Sequence, residues 1–365
     1  MTGKFANFFL FCALISIPCG VFSQGIFIDL SSPLLPVASV EVSPSDTERV
    51  RSYISNNTIH KYFRLLLVKD GKKLGVPVSG IYLLDDLTLL YHPMSPLGEG
   101  LQFEIDCTLE GEPNTGTFST PSISVDDTPF SEVEQIFPRS TDIPCNELYF
   151  HVRFTQPMFP DPLAWKVVKV YDDGEVIPKI WRERSYWLDS NRVLVLMIHP
   201  GRVKRGIGLD VPFVEGKSYY ISVSGALKDQ LGRDTRLDTE TEFFATPDDY
   251  NIPKVLHKKT KVPLSGTDSP LQLIFSEAMD YASIIDGAQI TDTAGDPVKG
   301  YFWPLDDDAT FEFFPEAEWS PGDYQITLGK VVSDLAGNRL NRPFEMSAVE
   351  DKTKDKPISF PFRIK

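Results

Sequence analysis

Apolar and polar residues alternate in short runs along most of this chain. The pattern is clearest at 147–154 (ELYFHVRF), 165–171, 192–198, 218–224, 271–276, 310–314 and 324–328. Successive side chains of a strand point to opposite faces, so a period of two predicts strands with one face buried. Val, Ile, Tyr and Phe dominate these runs, and Gly, Pro, Asp and Asn separate them. That punctuation belongs to an all-β chain. Most of the 29 prolines fall between the runs, where a missing amide proton costs no ladder hydrogen bond. Only two short stretches read as helical, 45–54 and 280–286.

The runs recur in blocks. Pro93, Pro200 and Pro315 each close an apolar run, and each is followed by a glycine (Gly100, Gly216, Gly322) and an alternating strand. The copies lie about 110 residues apart, the size of one small β-sandwich. FTQPM at 154–158 corresponds to FSEAMD at 275–280, and the loop KDQLGRDT at 228–235 to SDLAGNRL at 333–340. Hairpin patterns at 68–82, 170–181 and 290–302 precede the three prolines, and copies one and two close on Thr-Pro pairs. The prediction is three tandem Ig-like β-sandwich domains, over 24–121, 122–247 and 248–365, joined by short linkers.

On the F-S-x-x-M-D stretch, the Pro…Gly strand and D-x-A-G-N-x-L, the chain resembles the bacterial Ig-like family of SbsA type, found in S-layer and other envelope proteins. The third copy carries all three marks over about 265–345. The second departs at the last, reading Asp229-Gln230-Leu231-Gly232, and the first keeps only the hairpin and the Pro…Gly strand. The resemblance implies a fold and supplies no catalytic residue.

The first residues bear on compartment. Lys4, the apolar run FANFFLFCALISI and the small residues up to Ser23 read as a signal peptide over 1–23. The expected location is therefore periplasmic, outer-membrane-associated or secreted. Lipidation at Cys19 is the other reading, and Pro18 directly before the cysteine weighs against it. No later stretch is apolar enough to predict a transmembrane segment. Net charge is −15, which argues against nucleic acid as a partner, because phosphates repel an acidic surface. An apolar content of 42% argues against disorder.

Candidate chemistry is sparse. Cys107 and Cys145 flank the first joint and could form a disulfide in an oxidising compartment. Trp181 and Trp187 in WRERSYW offer either an aromatic face for a glycan or cross-strand packing around a hairpin tip. The segment after Pro200 is nine residues longer than its counterparts and carries Arg202, Lys204 and Arg205 in an acidic protein, which suggests a protein-binding loop. His92 and His199 precede the repeat proline where the third copy has Phe314, so they read as packing positions. Asp306, Asp307 and Asp308 read as a solvated turn rather than a calcium loop. The spacings point to no metal ligand set, catalytic residue or cofactor. The chain is therefore expected to be a non-enzymatic cell-envelope scaffold or protein-binding subunit, with an envelope protein as partner. The alternatives are a glycan-binding module in polysaccharide capture and, last, a hydrolase with a site at a domain junction.

Overall fold

The computed structural model describes residues 20–365 apart from 24, 31, 33, 110–112, 124–127, 204–210, 306 and 345–355. The leader at 1–19 and the candidates Lys204, Arg205 and Asp306 thus lie outside the described residues. The chain divides into two compact units. One comprises 1–131 with 156–159 and 228–235; the other comprises 132–155, 160–227 and 236–365.

The first unit holds two antiparallel sheets. Five strands run in the order Gly20–Ser23, Ile26–Asp29, Val37–Glu41, Thr88–Pro93, Gly80–Asp85, and four in the order Lys72–Pro77, Phe63–Lys69, Gln102–Cys107, Asn114–Ser119. The alternation seen in sequence places Ile26, Ile28, Leu89 and Tyr91 of one sheet against Phe63, Leu65, Phe103 and Ile105 of the other. These side chains fill the space between the sheets and provide the main burial. Gly20–Ser23, the end of the expected leader, pairs with Ile26–Asp29. The expected helix is Thr47–Ser55.

The second unit contains copies two and three. Copy two has a four-stranded sheet (Val133–Phe137, Tyr149–Phe154, Val193–Met197, Tyr186–Leu188) and a five-stranded one. The latter includes a parallel pairing of Asp142–Pro144 with the end of Asp234–Thr246. Phe150 of one sheet meets Phe243 of the other, ring centroids 5.5 Å apart. Copy three has two three-stranded sheets: Leu271–Ile274, Thr310–Pro315, Gly300–Pro304, and Ala288–Thr291, Gly322–Leu328, Ile358–Ile364. In copy three the last strand pairs from Gly322↔Ile364 to Leu328↔Ile358. The second predicted helix is Tyr281–Gly287, capped by the Asp280 carboxylate on Ser283 N–H at 2.7 Å.

The repeat is visible in backbone detail. Gly80 pairs with Pro93 and Gly300 with Pro315. A Cβ on Gly80 would lie 2.0 Å from the Tyr91 ring, and one on Gly300 would lie 2.3 Å from the Phe314 carbonyl oxygen. Both positions need glycine because an aromatic residue or backbone of the neighbouring strand occupies the side-chain space.

Copies two and three do not have separate cores. Phe137, Val193 and Val195 of copy two belong to the same buried cluster as Leu273, Tyr281, Phe311 and Ile326 of copy three. Phe137 stacks on Tyr281 at 3.9 Å and 11°, and Arg153 donates to the Tyr281 hydroxyl at 3.0 Å. Sequence reasoning expected short linkers between sandwiches; the structure adds a continuous apolar joint.

Candidate functional site

The concentrated polar chemistry of the second unit sits where copy three meets the end of copy two. Two pieces of the repeat supply it because the fold puts them side by side: Met279 bridges Asp334, and Asp280 N–H donates to the Ser333 carbonyl. The FSEAMD stretch thus lies against the DLAGN turn. In that turn Gly337 adopts φ +82°, the left-handed conformation glycine tolerates. The Asp334 carboxylate accepts from Asn338 N–H (2.8 Å) and from the Asn338 side-chain amide (3.0 Å). Asn338 also donates to the Asp249 carbonyl at 3.2 Å. Asn146 holds Asp249 from the other side, donating to its carbonyl and accepting its N–H, both at 2.8 Å.

This framework gathers three carboxylates. One oxygen each of Asp249, Glu277 and Asp334 lies within 4.8 Å of the other two. Burial, reinforced by Asp249 and Glu277, pushes the Asp334 carboxyl up to about 8 against the pull of Asn338. Burial and the Asp249 carboxyl push Glu277 up to about 7. Like charges this close cannot all ionise without a counter-charge.

Two further buried groups adjoin. Glu147 is fully buried, and neither of its oxygens has a hydrogen-bond partner. Burial raises it well above the usual carboxylate range, Asp280 and Asp334 add to the rise, and the nearby Tyr149 amide offsets it only in part. His151 Nε2 meets Asp280 Oδ1 at 2.5 Å, both side chains buried. Asp308 is buried too, not the solvated tip the sequence suggested. Its Oδ2 accepts Arg139 N–H (2.6 Å) and Ser140 N–H (2.8 Å), and burial pushes it up to about 6. Asp307 behaves as expected of a turn, accepting Ala309 and Thr310 N–H at 3.0 Å.

The residues singled out from sequence are placed elsewhere. Trp181 is buried at 4% exposure, its Nε1–H donating to the Val168 carbonyl. Trp187 is half-buried against Phe154 and donates to the Asp161 carbonyl. Both border one strand, Trp181 opposite Ile198 and Trp187 opposite Leu194. The expected hairpin tip between them is instead a break in an edge strand, and the Trp181 indole is buried. Arg202 lies in the short helix Pro200–Val203 and donates to the Pro178 carbonyl at 2.8 Å. Cys107 and Cys145, the expected disulfide pair, are both buried. Cys107 faces the core of copy one, and Cys145 is buried in copy two beside Phe213 and Pro247.

Sequence spacing could not find the carboxylate cluster, because its members are 28 and 57 positions apart and only the fold joins them. The one legible signal was the D-x-A-G-N turn itself.

Comparison with known proteins follows the same lines. Residues 256–349 match the family model described as a bacterial Ig-like domain. No curated protein matches the chain. Among solved structures, the N-terminal part of the bacterial S-layer protein SbsC is similar at 13% identity and a TM-score of 0.25, over 65% of this chain and 44% of that one. A three-domain Ig fragment of titin is similar at 10% identity and a TM-score of 0.17, over 82% of this chain and 88% of that one. The chain thus spans less than half the length of that S-layer chain. Among the described residues no helix is long and apolar enough to cross a membrane. In its third copy, the chain is similar to bacterial Ig-like domains.

Proposed function

We propose that this protein is a non-enzymatic, exported scaffold or protein-binding subunit of the cell envelope. The observation that supports the reading is the continuous core between copies two and three. Tandem sandwiches fixed to one another suit spacing and presentation, and their buried polar groups hold the joint together. Partner contact is assigned to the inserted loop with Arg202, Lys204 and Arg205, whose positive charges would steer association with an acidic protein surface. The test is a pull-down from envelope extract with mass-spectrometric identification, repeated after shortening 202–210 to the length seen in the other copies. Loss of one partner with an unchanged melting temperature supports the reading; unchanged recovery removes the loop from it.

The glycan reading rested on Trp181 and Trp187, and the burial of Trp181 weighs against it. A junction hydrolase needs carboxylates in a cleft. Converging carboxylates are present, but Asp334 is only 1% exposed. The surface hollows lined by Pro253, Val255 and Phe360 and by Cys145, Phe213 and Pro247 include none of the three.

A further inference from the structure

We propose that Asp249, Glu277 and Asp334 bind one divalent cation of calcium size, which ties the link after copy two to copy three. The geometry admits it. Oxygens bound at 2.3–2.6 Å to one ion lie at most about 5 Å apart, and these three lie within 4.8 Å of one another. The donor set is all carboxylate oxygen, without Cys or His, which suits a hard cation and not zinc.

Two independent observations carry the case beyond a group of acids. The first is Glu147. It is fully buried, lacks a hydrogen-bond partner on either oxygen, and faces the charges of Asp280 and Asp334. Its neighbours are tied to the cluster on both sides: Asn146 to Asp249, and Leu148 N–H to the carbonyl of Leu335, next to Asp334. A buried carboxyl whose ionisation is opposed by Asp280 and Asp334 marks a place where further negative charge is costly, and a bound cation would offset that cost.

The second is the chain's own repeat. Copy two builds the same turn from Asp229, also buried, with Met158 bridging it as Met279 bridges Asp334. There the residue four positions on is Arg233, whose guanidinium bonds Asp229 Oδ2 at 2.8 Å and 2.7 Å. In copy three that place is taken by Asn338, and Glu277 stands where copy two has Gln156. The turn therefore needs its aspartate but not the extra carboxylates. Copy two neutralises its aspartate with an internal cation; copy three replaces that cation with an amide and adds acid around it. Lys254 offsets Glu277 through space, and the bonds described for Asp334 are to Asn338.

The test uses the exported full chain, stripped with EDTA and titrated with CaCl2 by calorimetry, with melting curves in parallel. One saturable equivalent is expected, with a rise in melting temperature and weaker binding of MgCl2, whose ion demands a smaller octahedral cage. Glu277→Gln is expected to weaken calcium binding at least about tenfold. Its melting temperature in EDTA should be unchanged or higher, which shows that it folds. Glu318→Gln, on an exposed residue of the same copy, is expected to bind as wild type. No heat and no melting shift up to about 10 mM CaCl2 would overturn the proposal, since that exceeds the range of extracellular calcium modules. So would several weak equivalents insensitive to Glu277→Gln, which would mean diffuse attraction to an acidic surface.

Discussion

Asp308→Asn tests how the joint handles buried charge. Asp308 packs against Arg139 and Ser140, and burial raises its carboxyl from 3.8 to about 6. The facing groups are the Arg139 guanidinium and the two backbone N–H donors, which pull it down, and Asp307, which pushes it up. Glu147 lies within its field. The sign follows from linkage. Below pH 3.8 the carboxyl is protonated in both folded and unfolded chains, and it neither favours nor opposes folding. As pH rises towards 6 the unfolded chain ionises first, so stability falls through this window and levels off above it. Two units at ~1.4 kcal/mol each give a loss of about 3 kcal/mol. Asparagine keeps an acceptor for the two N–H donors and cannot ionise, so it escapes that loss. Urea unfolding of both proteins in EDTA, followed by tryptophan fluorescence from pH 4 to 8, isolates the difference, since the other carboxylates titrate in both. The gap should move in favour of the variant by about 3 kcal/mol, mostly between pH 4 and 7. A gap that stays constant, or moves the other way, would refute the assignment of Asp308 as a buried, destabilising carboxylate.

Other expectations follow from the same contacts. Phe137→Ala should cost about 3–5 kcal/mol, because it removes the ring stacked on Tyr281 from a shared core; calorimetric melting would show it, and a loss under 1 kcal/mol would mean that the joint is plastic. Gly300→Ala should destabilise by about 1–3 kcal/mol through its clash with the next strand, measured by the same melts. Asn338→Arg copies the Arg233 arrangement into the third copy and should abolish calcium binding while the far-ultraviolet dichroism stays that of a β protein. Cys107 and Cys145 should both alkylate after unfolding without reductant, and peptide mapping that finds them joined would contradict the buried thiols.

The strands and the turns were legible because each is local: a period of two, a glycine with positive φ, a proline at a run's end. Tyr281–Gly287 falls on the stretch 280–286 read as helical, and the structure adds the Asp280 cap. What sequence missed was set by distant pairings. Asp308 reads as one of three solvated aspartates until the segment at Arg139 closes over it. Trp181 reads as either a ligand face or a packing residue until its indole is found bonded to the Val168 carbonyl. Asp249, Glu277 and Asp334 carry no spacing that announces them. Cys107 and Cys145 were paired on chain order alone, which says nothing of the direction in which each side chain packs.

The shared core of copies two and three has a consequence for how such a chain can grow or shrink. Its unit of sequence is one sandwich, but its unit of folding in this region is two. An excision at residue 247 would leave the rings of Tyr281 and Trp303 facing water where Phe137 now covers them. A duplication or deletion that changes the number of copies would have to carry that surface with it, or supply a neighbour shaped to cover it. Grafting, truncation and fragment production should therefore keep the cores of copies two and three together.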